Sequence, residues 1–348
     1  MAYASITKPS LYFNTKLYTG NGSTQSITGV GFQPDWVWGK ERTSTSSHFV
    51  FDAVRGATKN IHTNTTAAET TPSPDGGLTS FDSDGFSTSS WGAINESGQT
   101  YTSWNWKANG AGSANTDGSI TSTVSVNTTA GFSIVKYEAS ANATIGHGLG
   151  VKPAMVITKS RDDSTNWASW HKNLTGGNEN DRYVNLNTNA AQDTYGNYWG
   201  TGGFTSSVFG VSNTGFHNNS NSMIAYCFAE KKGYSKFGSY TGNGNADGAF
   251  VYTGFKPAMI IYKKSSGTEN WFIHDNKRQG FNPENEILHP DLSNAEATVN
   301  RIDLLSNGFK ATSSDGGINA SGTTYIFMAF AEEPLVANVG ASIPATAR

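Results

Sequence analysis

Two pairs of carboxylates stand at matching places in the chain: Asp52 with Glu69, and Asp275 with Glu296. Glycoside hydrolysis requires such a pair, one carboxyl to protonate the leaving oxygen and one to attack or to activate water. A third matching place carries His171 and Gln192 instead. Either an active site is duplicated and then replaced, or these are polar residues that close strands and are kept where the local structure needs them. The second reading is simpler, and under it the chain is not an enzyme. Asp75-Gly76-Gly77 and Asp82-Ser83-Asp84-Gly85 resemble pieces of a calcium loop but lack the ligand series ending in Glu, so they read as Asp-Gly turns. The histidines (His48, His62, His147, His171, His217, His274 and His289) show no paired metal spacing and read as scattered surface or turn residues. Cys227 falls in a column of small residues and reads as packed filling. No Gly-x-Ser-x-Gly elbow is present. No catalytic residue, cofactor or metal is expected.

Binding chemistry is better represented. Aromatic rings beside amides and hydroxyls can stack on sugar faces and hydrogen-bond their hydroxyls. The segment Asp193-Thr194-Tyr195-Gly196-Asn197-Tyr198-Trp199-Gly200 has no aromatic equivalent elsewhere in the chain, and Trp91 is a second ring outside any pattern. Tyr195, Asn197, Tyr198, Trp199 and Trp91 are therefore the candidate ligand-binding residues, exposed loop aromatics being recognition elements more often than buried ones. The competing reading is that Trp199 fills its own core.

The pattern those residues break is written three times. Tyr18-Thr19-Gly20-Asn21-Gly22 leads to Gly31-Phe32-Gln33-Pro34-Asp35-Trp36-Val37-Trp38-Gly39-Lys40; Tyr240-Thr241-Gly242-Asn243-Gly244 leads to Gly254-Phe255-Lys256-Pro257-Ala258-Met259-Ile260-Ile261-Tyr262-Lys263. Between them, Tyr137 precedes Leu149-Gly150-Val151-Lys152-Pro153-Ala154-Met155-Val156-Ile157-Thr158-Lys159. Each copy continues with an aromatic segment starting at His48, Trp167 or Trp271, then a turn and strand at Asp84-Gly85-Phe86, Gly202-Gly203-Phe204 or Asn307-Gly308-Phe309. A closing turn follows with Asn95 and Gly98, Asn213 and Gly215, or Asn319 and Gly322. In the last strand one column is large (Trp104 and Trp106, Tyr226 and Phe228, Met328 and Phe330) and the other mostly small (Ser103 and Asn105, Ala225 and Cys227, Phe327 and Ala329). That alternation is expected of a strand with one face in a sandwich core. Lys40 and Arg42, Lys159 and Arg161, and Lys263 and Lys264 recur as strand-end charges, with a role in contact between copies as the alternative.

A repeat on the order of 100 residues is far longer than a solenoid period and long enough to hold its own core. The expected fold is all-β: three tandem antiparallel β-sandwich repeats, jelly-roll-like or lectin-like, over residues 13–110, 131–233 and 234–335. Residues 1–12 form an N-terminal arm, 111–130 a linker and lead-in strand, and 336–348 a C-terminal tail. Copies two and three should pack together, with copy one at an angle. Among 348 residues, 15 % are charged and 39 are Gly, a balance that suits short strands joined by turns. The net charge of −3 offers no basic footprint for nucleic acid, and no apolar run is long enough to span a membrane. The start of the chain does not read as a secretory signal, and one cysteine excludes an internal disulfide.

The opening Tyr12-Phe13-Asn14-Thr15-Lys16-Leu17-Tyr18-Thr19-Gly20-Asn21-Gly22, with Val30-Gly31-Phe32-Gln33-Pro34-Asp35, resembles a repeat-containing family of marine bacteriophage virion proteins. Val54-Arg55-Gly56-Ala57, Trp104-Asn105-Trp106-Lys107, Gly146-His147-Gly148-Leu149-Gly150, Met328-Ala329-Phe330-Ala331-Glu332 and the ending Pro344-Ala345-Thr346-Ala347-Arg348 carry the same resemblance. It implies a virion structural protein of the tail-fibre or tail-associated kind, made in the host cytoplasm and exposed on the particle. Its expected partners are other virion proteins and a host-surface glycan, as a homo-oligomer for which a trimer is the guess. The alternative is a head-decoration or tail-assembly protein acting only through protein contacts. A polysaccharide depolymerase is the least favoured.

Overall fold

The computed structural model describes residues 4–73, 75–212 and 220–335, so Asn213, Gly215, His217 and the tail at 336–348 lie outside the described residues. One arrangement of four strands recurs. Thr100–Trp106 pairs with Phe13–Thr19 on one side and Trp36–Glu41 on the other, and Phe49–Asp52 follows outside it. Ser222–Phe228 sits in the same way among Phe132–Glu138, Met155–Ser160 and Ala168–His171. Thr324–Pro334 does so among Ser235–Thr241, Phe255–Lys264 and Trp271–Asp275. The main sheets, of five, eight and four strands, have companions of three, two and four strands respectively, and every pairing between these strands is antiparallel. The all-β, antiparallel expectation holds.

The companions dock through one repeated contact. Tyr18 meets Phe86 edge to face at 6.0 Å, Tyr137 meets Phe209 at 5.8 Å, and Tyr240 meets Phe309 at 5.8 Å. This geometry suits the aromatic quadrupole. It also corrects the alignment of the middle copy: the partner of Ile145 is Phe209, on the strand Val208–Gly210, and not Phe204. Phe204 bridges to Phe209 from the neighbouring position, so the Gly202-Gly203-Phe204 match is displaced by one strand. Two of the closing-turn amides behave alike. Asn95 and Asn319 are fully buried and accept from the amides of Asn21 and Asn243, both at 2.9 Å.

The two faces of each main sheet go to different cores. The small columns face the companions: Ala225 and Cys227 pack with Phe209, and Phe327 and Ala329 pack with Phe309 and Val251. The large columns of all three units meet in one shared core, where Trp104, Trp106, Tyr226, Phe228, Met328 and Phe330 join Trp36, Trp38, Met155, Ile157, Met259 and Ile261. This corrects the expectation that the large column lies inside each unit's own sandwich. Trp36 lies 4.5 Å from Tyr226 and 5.5 Å from Phe132, Phe13 stacks 5.1 Å from Phe330, and Phe228 lies 5.9 Å from Phe237. Each of these pairs crosses between units.

The segments read as arm and linker are bound into this assembly. Ala4 and Ile6 are buried, and the Ser5 amide donates to the Lys232 carbonyl at 2.9 Å. Ser113–Asn115 pairs with Ser122–Asn127 as the edge of the second main sheet. Asp35 fixes the crossing by accepting from the amides of Ala108 at 2.7 Å and Gly110 at 3.0 Å.

Replacing Trp36 with Ala should destabilise the protein by about 3–5 kcal/mol, the usual cost of truncating a buried Trp. Hydrogen exchange should show the loss of protection reaching Ser222–Phe228, in another unit. Loss confined to residues 13–110 would contradict a shared core.

Candidate functional site

The carboxylates that could have served glycoside hydrolysis are buried in the seams between units. At the seam of units one and two, Asp52 accepts from Arg55 and from the Tyr226 hydroxyl at 2.7 Å. Arg55 also reaches Glu69 at 3.2 Å, and Glu69 in turn accepts from Arg161 at 2.7 and 3.0 Å. The seam of units three and one repeats the set. Trp104 Nε1 donates to Asp275 at 2.9 Å, Arg278 bonds Asp275 at 2.7 Å and Glu296 at 2.9 Å, and Arg42 reaches Glu296 at 2.6 Å. Burial alone would raise the carboxyls of Glu69 and Glu296, but the arginines outweigh it and hold both below the ordinary range. Both carboxylates therefore stay ionised and paired.

The seam of units two and three carries the same backbone bond with an uncharged set. Glu69 donates its amide to Arg161 O at 2.8 Å, Glu296 to Arg42 O at 2.8 Å, and Gln192 to Ser265 O at 2.9 Å. At this third seam His171, Leu174, Gln192, Ser265 and Met328 occupy the places of Asp, Arg, Glu, Arg and an aromatic hydrogen-bond donor. His171 bonds the Phe327 carbonyl at 3.2 Å, and burial pushes it down to about 3, so it is neutral. The five positions differ together because removing one member of a buried charge set leaves its partner uncompensated. Arg42 and Arg161 thus serve contact between copies, whereas Lys40, Lys159 and Lys263 are buried beneath their own loops, donate to carbonyls there, and are pushed down to about 8 by burial; Lys263 also donates to Asn189 O of unit two at 3.3 Å.

The described histidines are not surface residues. His48, His147, His171 and His274 are buried, and His62 and His289 are half-buried. His48 accepts from Trp38 Nε1 at 2.9 Å, so its other nitrogen donates, reaching His289 O of unit three at 2.8 Å. Trp167 Nε1 and Trp271 Nε1 make the same reach, to His62 O at 2.9 Å and Asn185 O at 3.0 Å. Cys227 is fully buried and its thiol is pushed far up by burial. Asp84 accepts from the amides of Gly29 at 2.9 Å and Gly31 at 2.6 Å, which accounts for that calcium-like turn.

The aromatic segment of unit two is mostly internal. Trp199 is 0 % exposed and donates from Nε1 to Arg182 O at 2.9 Å. Tyr198 is buried and stacks on Tyr183 at 4.1 Å. These rings cover a companion sheet of only two strands, and neither presents a face to a ligand, which corrects their assignment as a binding surface. Asn197 is exposed in a left-handed turn (φ +53°), its amide donating to Asp181 at 2.7 Å. Tyr195 is 52 % exposed, the one open ring of the group. Trp91 is half-buried against the first unit's inner core, 6.4 Å from His62.

A different break in the repeat lies on unit three. Phe250 and Tyr252 alternate with buried Val251 and are 48 % and 57 % exposed. The corresponding residues are Ser26 and Thr28 in unit one and Thr144 and Gly146 in unit two, as the pairings with Gly85, Phe86, Phe209, Gly308 and Phe309 show. Tyr252 forms a wall of a hollow of about 500 Å³, with Glu230, Lys232, Lys236, Thr253 and Leu335 around it. Gly254, at φ +84°, turns the chain at its rim. Burial would raise Glu230, but Lys172 at 2.5 Å and Lys236 at 2.7 Å outweigh it and hold the carboxylate ionised. An open ring beside fixed polar groups is the chemistry of a small polar-ligand site. Comparison of the three copies at this strand would have found it.

The fold and groove define an all-β protein of antiparallel sheets, and among the described residues no cluster of three metal-ligating side chains occurs. The chain belongs to a family described as a domain of unknown function (DUF7483), whose pattern matches residues 8–334. That match runs through all three units as one block. No curated protein and no solved structure matches the chain.

Glu69→Gln should cost about 3–5 kcal/mol in chemical unfolding, since Arg55 and Arg161 then lose their shared partner. Installing the third seam's set together, Asp52→His, Arg55→Leu, Glu69→Gln, Arg161→Ser and Tyr226→Met, should cost less than that single change. A larger loss for the combined variant would show that the five positions are independent.

Proposed function

We propose that this protein is a bacteriophage virion structural protein of the tail-fibre or tail-associated kind, built of three sandwich repeats closed on a common core, which binds a host-surface glycan at the Tyr252 groove. The observation that carries this reading is the pair Phe250 and Tyr252, open to solvent where both other units have small or hydroxylated residues. A sugar ring offers an apolar C–H face to a phenol ring and hydroxyls to groups such as Glu230 and Lys236 at the groove's edge. The virion setting rests on the sequence resemblance. In that setting a homotrimer would present three such grooves, and weak sites would gain through avidity.

One observation favours the alternative, a head-decoration or tail-assembly protein. Phe250–Tyr252 is the edge strand of its sheet, and an unpaired edge with apolar residues is a template for strand addition by a neighbouring protein. The depolymerase reading draws nothing from the paired carboxylates, which are held by arginines in the seams.

Labelled protein applied to a glycan array and to host cells tests the proposal. Binding is expected, and Tyr252→Ala should weaken it at least about tenfold, as for a central aromatic contact, with the unfolding midpoint unchanged. Absence of binding to every glycan and cell, or binding indifferent to Tyr252→Ala, would overturn it.

A further inference from the structure

The Tyr252 groove differs from its counterparts in a second residue. By register, Lys236 stands where unit one has Asn14 and unit two has Ser133. Tyr252 and Lys236 line the same hollow. Two breaks in the repeat, a ring and a cation, therefore meet at one place on unit three.

Most other polar groups of this wall are already spent. Thr253 Oγ1 donates to Phe255 O at 2.6 Å. Ser235 Oγ accepts from the Lys231 amide at 3.0 Å and donates to Ala229 O at 3.4 Å. Each oxygen of Glu230 holds a lysine, Lys172 at 2.5 Å on one and Lys236 at 2.7 Å on the other. An ammonium carries three N–H donors, so the bond to Glu230 leaves Lys236 with donors to spare. Its side chain is 36 % exposed, and a ligand can reach it. What the wall offers beside the ring is hydrogen-bond donation, and donation from a cation.

The charges of the site add to the same sign. Two lysines on one carboxylate leave one positive charge in surplus, and Lys232, exposed on the wall, increases it. Neighbouring charges do not cancel this surplus. Lys256 pairs with Glu332 at 2.6 Å, and neither of these nor Glu333 lines the hollow. Lys231 lies along Gly131 of unit two. Salt screens charges beyond a Debye length of about 8 Å, so the local surplus attracts an anion although the whole chain carries −3. No arginine lines the hollow among the described residues. Arginine's planar fork reads the shape of an anion, whereas lysine is a point charge that suits carboxylate and sulfate alike.

We propose that the glycan bound at the Tyr252 groove is acidic, its carboxylate or sulfate meeting Lys236 while the sugar ring lies on Tyr252. This rests on the glycan-binding reading above and names the class of sugar that the groove selects.

Calorimetric titration with two matched pairs tests it: an alginate oligosaccharide and its carboxyl-reduced form, and a sulfated galactan oligosaccharide and its desulfated form. At least one acidic member should bind, and its neutral counterpart at least about tenfold more weakly, with affinity falling as salt is raised. The pair that responds tells carboxylate from sulfate. Lys236→Gln should weaken the acidic ligand about tenfold, and Lys236→Arg should retain most of the affinity. Both variants should keep the parent's unfolding midpoint, because Lys172 still holds Glu230. The proposal is overturned if the neutral members bind as tightly as the acidic ones, if none of the four binds, or if acidic binding is indifferent to Lys236→Gln or to Tyr252→Ala. Neutral binding that is lost on Tyr252→Ala would overturn the acidic class and leave the groove reading standing, whereas absence of binding to every glycan and cell removes both.

Discussion

Trp36 lies 4.4 Å from Trp106 in its own unit and 4.5 Å from Tyr226 in the next, and the rest of the architecture depends on that kind of contact. Each main sheet has two apolar faces, and its companion covers only one of them. The uncovered face carries the bulkiest rings of the chain, so a unit standing alone would leave Trp, Tyr and Phe in water. Burying such side chains is worth roughly 1.5–3 kcal/mol each, more than any surface contact could return. Three units closing on one another satisfy all three faces at once. The N-terminal arm adds Ile6 to the same core, which ties the start of the chain to the closure.

The seams then decide which unit meets which. Closure runs in a cycle: Asp52 of unit one takes Tyr226 of unit two, His171 of unit two meets the third unit's last strand, and Asp275 of unit three takes Trp104 of unit one. Two seams are charged and one is neutral, so the three faces are not interchangeable, and a wrong docking would bury an unpaired arginine or carboxylate. This accounts for the substitution of a whole set at the third seam, and it removes the carboxylates from consideration as free acids and bases. What faces outward is left to the companion sheets and loops, where the units differ most.

Much of this was legible in the sequence. The threefold pattern, the strand alternation, the all-β class and the packed role of Cys227 follow from residue types and spacing, and the structure has them. The destination of the large column was not legible, because alternation shows that a face is apolar without showing what covers it. Trp199 misled because a ring outside the repeat can equally fill a gap in it, and unit two has the smallest companion sheet to fill. The buried histidines were misread by type. The match of His48 with Trp167 and Trp271 already pointed inward, since a neutral imidazole can offer one N–H to a neighbour as an indole does. Phe250 and Tyr252 are not legible as outward rings, because a three-residue strand gives too short an alternation to show which ring is outside.

Scanning calorimetry tests the central claim most directly, because a shared core makes the units unfold together whereas separate sandwiches melt one by one. The structure predicts a single transition whose calorimetric enthalpy equals its van't Hoff enthalpy. Two or three resolved transitions, or a calorimetric enthalpy about three times the van't Hoff value, would contradict it by showing units that fold and unfold alone.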